Sequence, residues 1–341
     1  MRWMRILPLQ AEHLEEAAQL LAARHRAERT VRPELPAQFE EPEHAKKAVQ
    51  HLVDSPQAVG LAAVRDGKLA GYLLGTLKTN DSRERHLWVD YAGLALAAGE
   101  SAEVYRDLYA ALAEIIVPQG YFKHYVLVPS GDAAVVDAWF RLGFGHEQVH
   151  AVMTLSDSDS PVTSPATDAP AVPDLTIRHA EKSDEAAIRD LAPTILQHQV
   201  RTPVFSATLP GETSQLQDGY AGLLDEADVT FWLAFQNDKP VGYQVFWPEE
   251  PSDHNLLTPA RCISLGVGGT VPSARGLGIG QTVVRHGLHH AREQGWQVCS
   301  SDWRMTNLLS SRFWPKQGFQ PVACRLFRQI DPRIVWADGR G

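Results

Sequence analysis

The chain has 341 residues, enough for two domains of ordinary size, and 44% of them are apolar, so each domain can bury a core. A formal net charge of −9, with acids and bases interspersed, argues against a nucleic-acid partner and leans toward a cationic or neutral small molecule. No apolar run reaches the roughly 18 to 20 residues of a membrane span, and the opening MRWMRILPLQAEHLEE turns polar too soon for a secretory leader. A cytoplasmic location with no membrane partner is therefore expected.

In chain order, MRILPLQAEHLEEAAQLLAA predicts an extended segment and an amphipathic helix. VGLAAVRDGKLAGYLLGTL predicts a hairpin turning at Asp66-Gly67-Lys68. A long strand ending near residue 97, a helix, a strand, a helix and a last strand complete a first domain over 1–155. Residues 156–174, SDSDSPVTSPATDAPAVPD, hold almost no large apolar side chains and read as a flexible linker. Residues 175–332 then repeat the order. LTIRHAEKSDEAAIRDLAPTIL opens them, VTFWLAFQNDKPVGYQVFW turns at Asn237-Asp238-Lys239, and a strand ends near residue 271. Apolar Ile279, Val283, Val284, Leu288 and Ala291 predict a helix from Gly278 to Gln294, stopped by Gly295. Residues 333–341 form a tail.

The two halves align without a gap at an offset of 175. DAAVVDAWFRLGF (132–144) falls on NLLSSRFWPKQGF (307–319), Gly120 on Gly295, and ESAEVY (100–105) on RGLGIG (275–280). The expected class is α/β (α+β), two tandem domains, each a mixed central β-sheet flanked by helices. Three cysteines, Cys262, Cys299 and Cys324, lack zinc-site spacing and read as buried strand residues. His286 and His290 lie one helical turn apart but outside any HExxH pattern. They read as a solvated helix face, and no metal is expected.

The stretch PSARGLGIGQ (272–281) asks what anion it holds. A strand running into a glycine turn and then a helix aims unpaired N–H groups and the positive end of the helix dipole at one point, which suits a phosphate. A P-loop needs Gly-Lys-Ser/Thr where Gly280 is followed by Gln281-Thr282. The dinucleotide pattern needs a third glycine where Gln281 or Val283 stands. In the first half Glu100 and Glu103 replace Arg275 and Gly278, placing carboxylates where a phosphate would lie.

Arg275-Gly276-Leu277-Gly278-Ile279-Gly280, preceded by Pro272 and followed downstream by Asn307 and FWPKQGF, resembles the acyl-CoA site of the GNAT superfamily of N-acyltransferases. The resemblance is direct over 174–330 and extends to 1–155 through the repeat. It implies two tandem GNAT-like domains, the second binding acetyl-CoA and the first degenerate and not binding it. It also implies that N–H groups from Gly276, Leu277, Gly278, Ile279, Gly280 and Gln281 hold the pyrophosphate, with Arg275 and Asn307 beside them. Gly268, Gly269 and Thr270 would pair with pantetheine, and the N–H near Gly268 would hold the oxyanion.

The implied reaction is transfer of acetyl from acetyl-CoA to a primary amine by direct attack in a ternary complex, without metal. Candidate bases at strand ends are Asp302 and Glu249, with Glu250 and His254 nearby. Relatives carry a tyrosine acid where Trp314 stands, so a water or Ser310 would protonate the thiolate. Asn307 is also read as a helix N-cap, as is Asp132. A small-molecule amine is the expected acceptor and a monomer or homodimer the expected state. The alternatives are a non-catalytic acyl-CoA-binding or interaction protein, a protein-lysine acetyltransferase, and a mycothiol-synthase-like enzyme, from which Trp314 departs.

Overall fold

The computed structural model describes residues 4–155, 172–337 and 339, so the expected linker lies outside the described residues over 156–171. The chain forms two compact units interleaved in sequence. The first comprises Met1–His150, Pro251–Pro259 and Pro321–Gly341; the second comprises Ala151–Glu250 and Ala260–Gln320.

The first unit contains β1 (Met4–Pro8), α1 (Leu14–Arg29), α2 (Pro42–Val53), β2 (Ala58–Arg65), β3 (Lys68–Asn80), β4 (Glu84–Val89) and β5 (Leu94–Leu96). It continues with α3 (Glu103–Ile116), β6 (Lys123–Pro129), α4 (Ala133–Phe140) and β7 (Gly145–Thr154), whose last residues belong to the second unit. The long strand expected before residue 97 is broken: Asp90 accepts the Tyr91 N–H, and a 3-10 turn over Tyr91–Gly93 separates β4 from β5. Antiparallel β1, β2, β3 and β4 are followed by β6, parallel to β4. Core side chains of α3, such as Leu108 and Leu112, pack with Leu73, Leu87 and Val126 of the strands.

The second unit contains β8 (Leu175–His179), α5 (Glu185–Leu191), α6 (Thr194–Gln199), α7 (Glu212–Gly222), β9 (Thr230–Gln236), β10 (Lys239–Glu249) and β11 (Cys262–Thr270). After these come α8 (Ile279–Glu293), β12 (Val298–Arg304) and α9 (Leu308–Phe313). Its strand order is β12-β11-β10-β9-β8. The opening amphipathic helix is split at Pro193, which has no N–H to carry α5 into α6. The last strand, β13 (Gln320–Gln329), joins the first unit almost entirely. There it lies antiparallel to β6 from Ala323↔Pro129 to Gln329↔Lys123 and places Leu326 in the core.

Both hairpins turn where expected, with two-residue loops between Arg65↔Lys68 and Gln236↔Lys239. Asp66, Gly67, Asn237 and Asp238 all take positive φ, the type I′ geometry that matches strand twist. The repeat shows in detail: Asp132 and Asn307 cap α4 and α9 through their side chains, and Trp139 and Trp314 are both buried. All three cysteines are free and buried, on β11, β12 and β13. His286 and His290 correct the expectation of a solvated face. They pack half-buried on Trp232, with ring centroids 4.3 and 5.2 Å away, because α8 lies against β9 and β10. Among the described residues no group of His, Cys, Asp or Glu is arranged to hold a metal.

Candidate functional site

The site begins where two strands part. β11 pairs with β12 in parallel from Cys262↔Val298 to Ser264↔Ser300, and the Ser301 hydroxyl then donates to the Leu265 carbonyl at 3.1 Å. Beyond that point β11 continues to Thr270 with β10 on its other side. A register shift between Val245 and Phe246 leaves Gly266 as an extra residue, a β-bulge that bends the strand away. Trp247 fills the space beside it: a Cβ on Gly266 would lie 1.8 Å from the indole ring. The released edge of Val267–Thr270 keeps backbone donors and acceptors that a ligand can pair with.

The chain next makes a 3-10 turn over Pro272–Ala274 and reaches α8 through Gly276 and Gly278, whose φ values of 80° and 85° favour glycine. Gly278 is the N-cap and brings no capping side chain. Thr282 N–H donates to the Gly278 carbonyl at 3.0 Å, so the N–H groups of Ile279, Gly280 and Gln281 have no acceptor within the helix. Arg275 bends back, its Nε donating to the Thr270 carbonyl at 3.0 Å. Burial, and then the nearby positive charge of Arg201, lower its pKa. Neither guanidinium pairs with a carboxylate among the described residues, so the turn gathers donors and positive charge without an anion.

Strand edge and turn open on one cavity of about 440 Å³, which α6 and α9 close from the other side. Asn307, 9% exposed, anchors that side: its Oδ1 accepts from the N–H groups of Leu309 at 3.2 Å and Ser310 at 3.4 Å, and lies 3.1 Å from His198 Nε2. Gln244, opposite Gly268 in the register, passes over the strand where a Gly268 Cβ would stand, 2.4 Å from its Nε2. The buried Gln244 Oε1 has no hydrogen-bond partner among the described residues. Trp314 contributes a ring and no hydroxyl.

Residues 194–319 match the model of the acetyltransferase (GNAT) family. Among solved structures, a GCN5-related N-acetyltransferase from Sphaerobacter thermophilus is 15% identical with a TM-score of 0.58, covering 96% of each chain. A tandem GNAT protein from the clavulanic acid biosynthesis pathway is also 15% identical, with a TM-score of 0.51, covering 97% of this chain and 99% of that one. At these identities the likeness is one of fold, and it extends over both units. A comparison with curated proteins finds no match. Residues 194–319 are a GNAT acetyltransferase domain.

The match places the domain among the acyltransferases. The GNAT cavity gathers Gly268, Gly269, Thr270, Arg275, Gly276, Gly278, Ile279, Gly280, Gln281, Asn307 and Ser310. Leu277, 52% exposed, is not part of its wall. Asp302 is exposed on β12 between buried Ser301 and Trp303. Glu249 stands at the end of β10 beside Cys262, its Oε2 3.9 Å from the thiol. Both lie outside the wall. His254 stacks on His51 within the first unit, at 3.9 Å between ring centroids. Sequence reasoning missed His198, Tyr243, Gln244 and Thr194, which belong to no motif. The Gly-Tyr pair shared by the two hairpins was the one available signal for Tyr243.

The corresponding place in the first unit is filled. Leu94 pairs with Leu73 as Gly268 pairs with Gln244, and Tyr72 pairs with Ala95 as Tyr243 pairs with Gly269. There the guanidinium of Arg24 donates to the Leu94 carbonyl and meets Glu28 at 3.1 Å, while Tyr91 donates to Glu28. Burial raises the Glu28 carboxyl to about 7, against the pull of Arg24. At the start of α3, Glu103 accepts from Arg106 and Arg141, and Glu100 pairs with Arg65 at 2.9 Å.

Proposed function

We propose that the second unit binds acetyl-CoA and transfers its acetyl group to the primary amine of a small molecule, by direct attack while both substrates are bound. The observation that carries this reading is the junction of the released β11 edge with the uncapped, cationic start of α8 on one cavity. In this reading the N–H groups from Gly276 to Gln281 hold the pyrophosphate and Gly268–Thr270 pair with the pantetheine amides. The N–H at Gly268 stabilises the oxyanion. Asn307 has spent its carbonyl on backbone donors and His198, which leaves its Nδ2 protons for an acceptor on the cofactor. Ser310, on the cavity wall with its hydroxyl 3.4 Å from the main-chain carbonyl of Asn307, is the proton source proposed for the departing thiolate.

The first unit has no role in binding acetyl-CoA in this reading, because Arg24 occupies its strand edge and Glu103 the start of its helix. Calorimetric titration with acetyl-CoA should report one site per chain, abolished by Arg275→Glu with Gly278→Glu. Two sites would contradict the assignment of the first unit, and unchanged affinity in the variant would remove the turn from the binding site. A second reading, a non-catalytic acyl-CoA-binding protein, is favoured by Trp314 standing where a proton donor is expected. Thiol release with any of a broad panel of primary amines excludes it.

A further inference from the structure

We infer that His198 is the proton acceptor for the attacking amine, acting through Nδ1; this rests on the acetyl-transfer reading above. The cavity wall contains no carboxylate, and His198 is its one histidine among the described residues. A base must come within hydrogen-bond reach of the nitrogen it deprotonates, so a group on the wall has priority over Asp302 or Glu249, which are not part of it.

The local hydrogen bonds decide which ring nitrogen is available. Two backbone N–H groups, from Leu309 and Ser310, donate to Asn307 Oδ1, which fixes the orientation of the amide: turning it over would set its NH₂ against two donors. The group facing His198 Nε2 at 3.1 Å is therefore an acceptor, and Nε2 must carry the proton. The neutral ring then has its lone pair on Nδ1, which bonds to no other group among the described residues. Asn307 acts here as a positioning residue, orienting the imidazole through its tautomer with the same side-chain oxygen that caps α9.

The step balances without a further reagent. Nδ1 takes one proton from the ammonium and frees the nitrogen lone pair. The C–N bond forms at the thioester carbonyl as the C–S bond breaks, and the second proton lost from nitrogen ends on sulfur as the thiol. The imidazolium then releases its proton to solvent.

The test compares two nucleophiles with acetyl-CoA as donor: the primary amine turned over fastest in the panel, protonated at neutral pH, and hydroxylamine, largely unprotonated there. His198→Ala should lower kcat for the alkylamine by about 10²-fold or more, leave the KM for acetyl-CoA unchanged, and regain activity with added imidazole. Hydroxylamine acetylation should persist. Equal loss for both nucleophiles, or no loss for the alkylamine, overturns the inference. Nitrogen NMR of the intact wild-type protein supplies an independent arm. It should show His198 protonated at Nε2, and Asn307→Ala should release that preference; a proton on Nδ1 also overturns the proposal. Absence of acetyl-CoA binding in the wild type would instead defeat the acetyl-transfer reading, while the NMR result would still judge the tautomer.

Discussion

His25 and His124 are sealed inside the first unit, and burial lowers each imidazole to about 4. His25 Nε2 bonds the Pro36 carbonyl at 2.8 Å. His124 lies between the Tyr109 hydroxyl at 2.7 Å and the Tyr121 carbonyl at 3.0 Å, which suits a neutral ring. In the unfolded chain each takes up a proton near 6.5, whereas in the folded chain it waits until about 4. Their stabilisation is therefore complete above pH 6.5 and is lost as pH falls toward 4, by up to roughly 3 kcal/mol each. Glu28 has the opposite sign: raised to about 7, it holds its proton in the fold while the unfolded carboxyl ionises, so its contribution to the fold grows as pH falls from about 7, is complete below 4.5, and is lost as pH rises through 7. With His150 also lowered to about 4 by burial, three histidines against one glutamate leave a net loss on acidification. The melting temperature should fall from pH 6.5 to 4, and His124→Gln should flatten that fall; an unchanged slope would show that His124 contributes nothing to it. At this scale the sequence was legible where a residue's role is local. Asn307 and Asp132 were readable as caps from their positions before helices. The partnership of His198 with Asn307 was not, because 109 residues separate them and nothing in either neighbourhood names the other.

The glycine turn and α8 were legible as an element because each glycine answers a backbone demand and the apolar spacing fixes which face is buried. The observed helix, Ile279–Glu293, falls one residue inside each expected end. The break between β4 and β5 and the bulge at Gly266 were not legible. Both depend on what packs against the strand: Leu74 and Val89 against Gly93, Trp247 against Gly266. Gly287 shows how tightly α8 sits on its sheet, since a Cβ there would lie 2.4 Å from the Phe246 ring and 3.3 Å from Trp232. Gly287→Ala gains up to about 1 kcal/mol of helix propensity but overpacks two aromatic rings at a cost of about 1–3 kcal/mol. Packing should win. Thermal unfolding should drop by several degrees, and a rise would mean that the helix yields without penalty.

For the whole molecule, the gapless repeat made two similar folds legible, but not which unit each strand joins. Edge strands of like sequence can pair in either copy, and nothing local distinguishes the choices. Here β13, encoded at the end of the second repeat, lies beside β6 of the first unit, where Arg325 pairs with Glu147 at 2.7 Å and Leu326 is fully buried. Deleting residues 321–341 should therefore damage the first unit. Limited proteolysis should open 1–150 in the truncated chain; continued protection there would show that the first unit folds without the strand.

The same strand sets an order of events during synthesis. A nascent chain that has emerged through residue 150 holds β6 with one edge still unpaired, and its partner strand begins only at Gln320. The first unit must wait, partly formed and with an adhesive strand edge exposed, while the ribosome makes residues 151–320 at about 5–20 per second. The unit begun first is thus completed only after every residue of the second has been made.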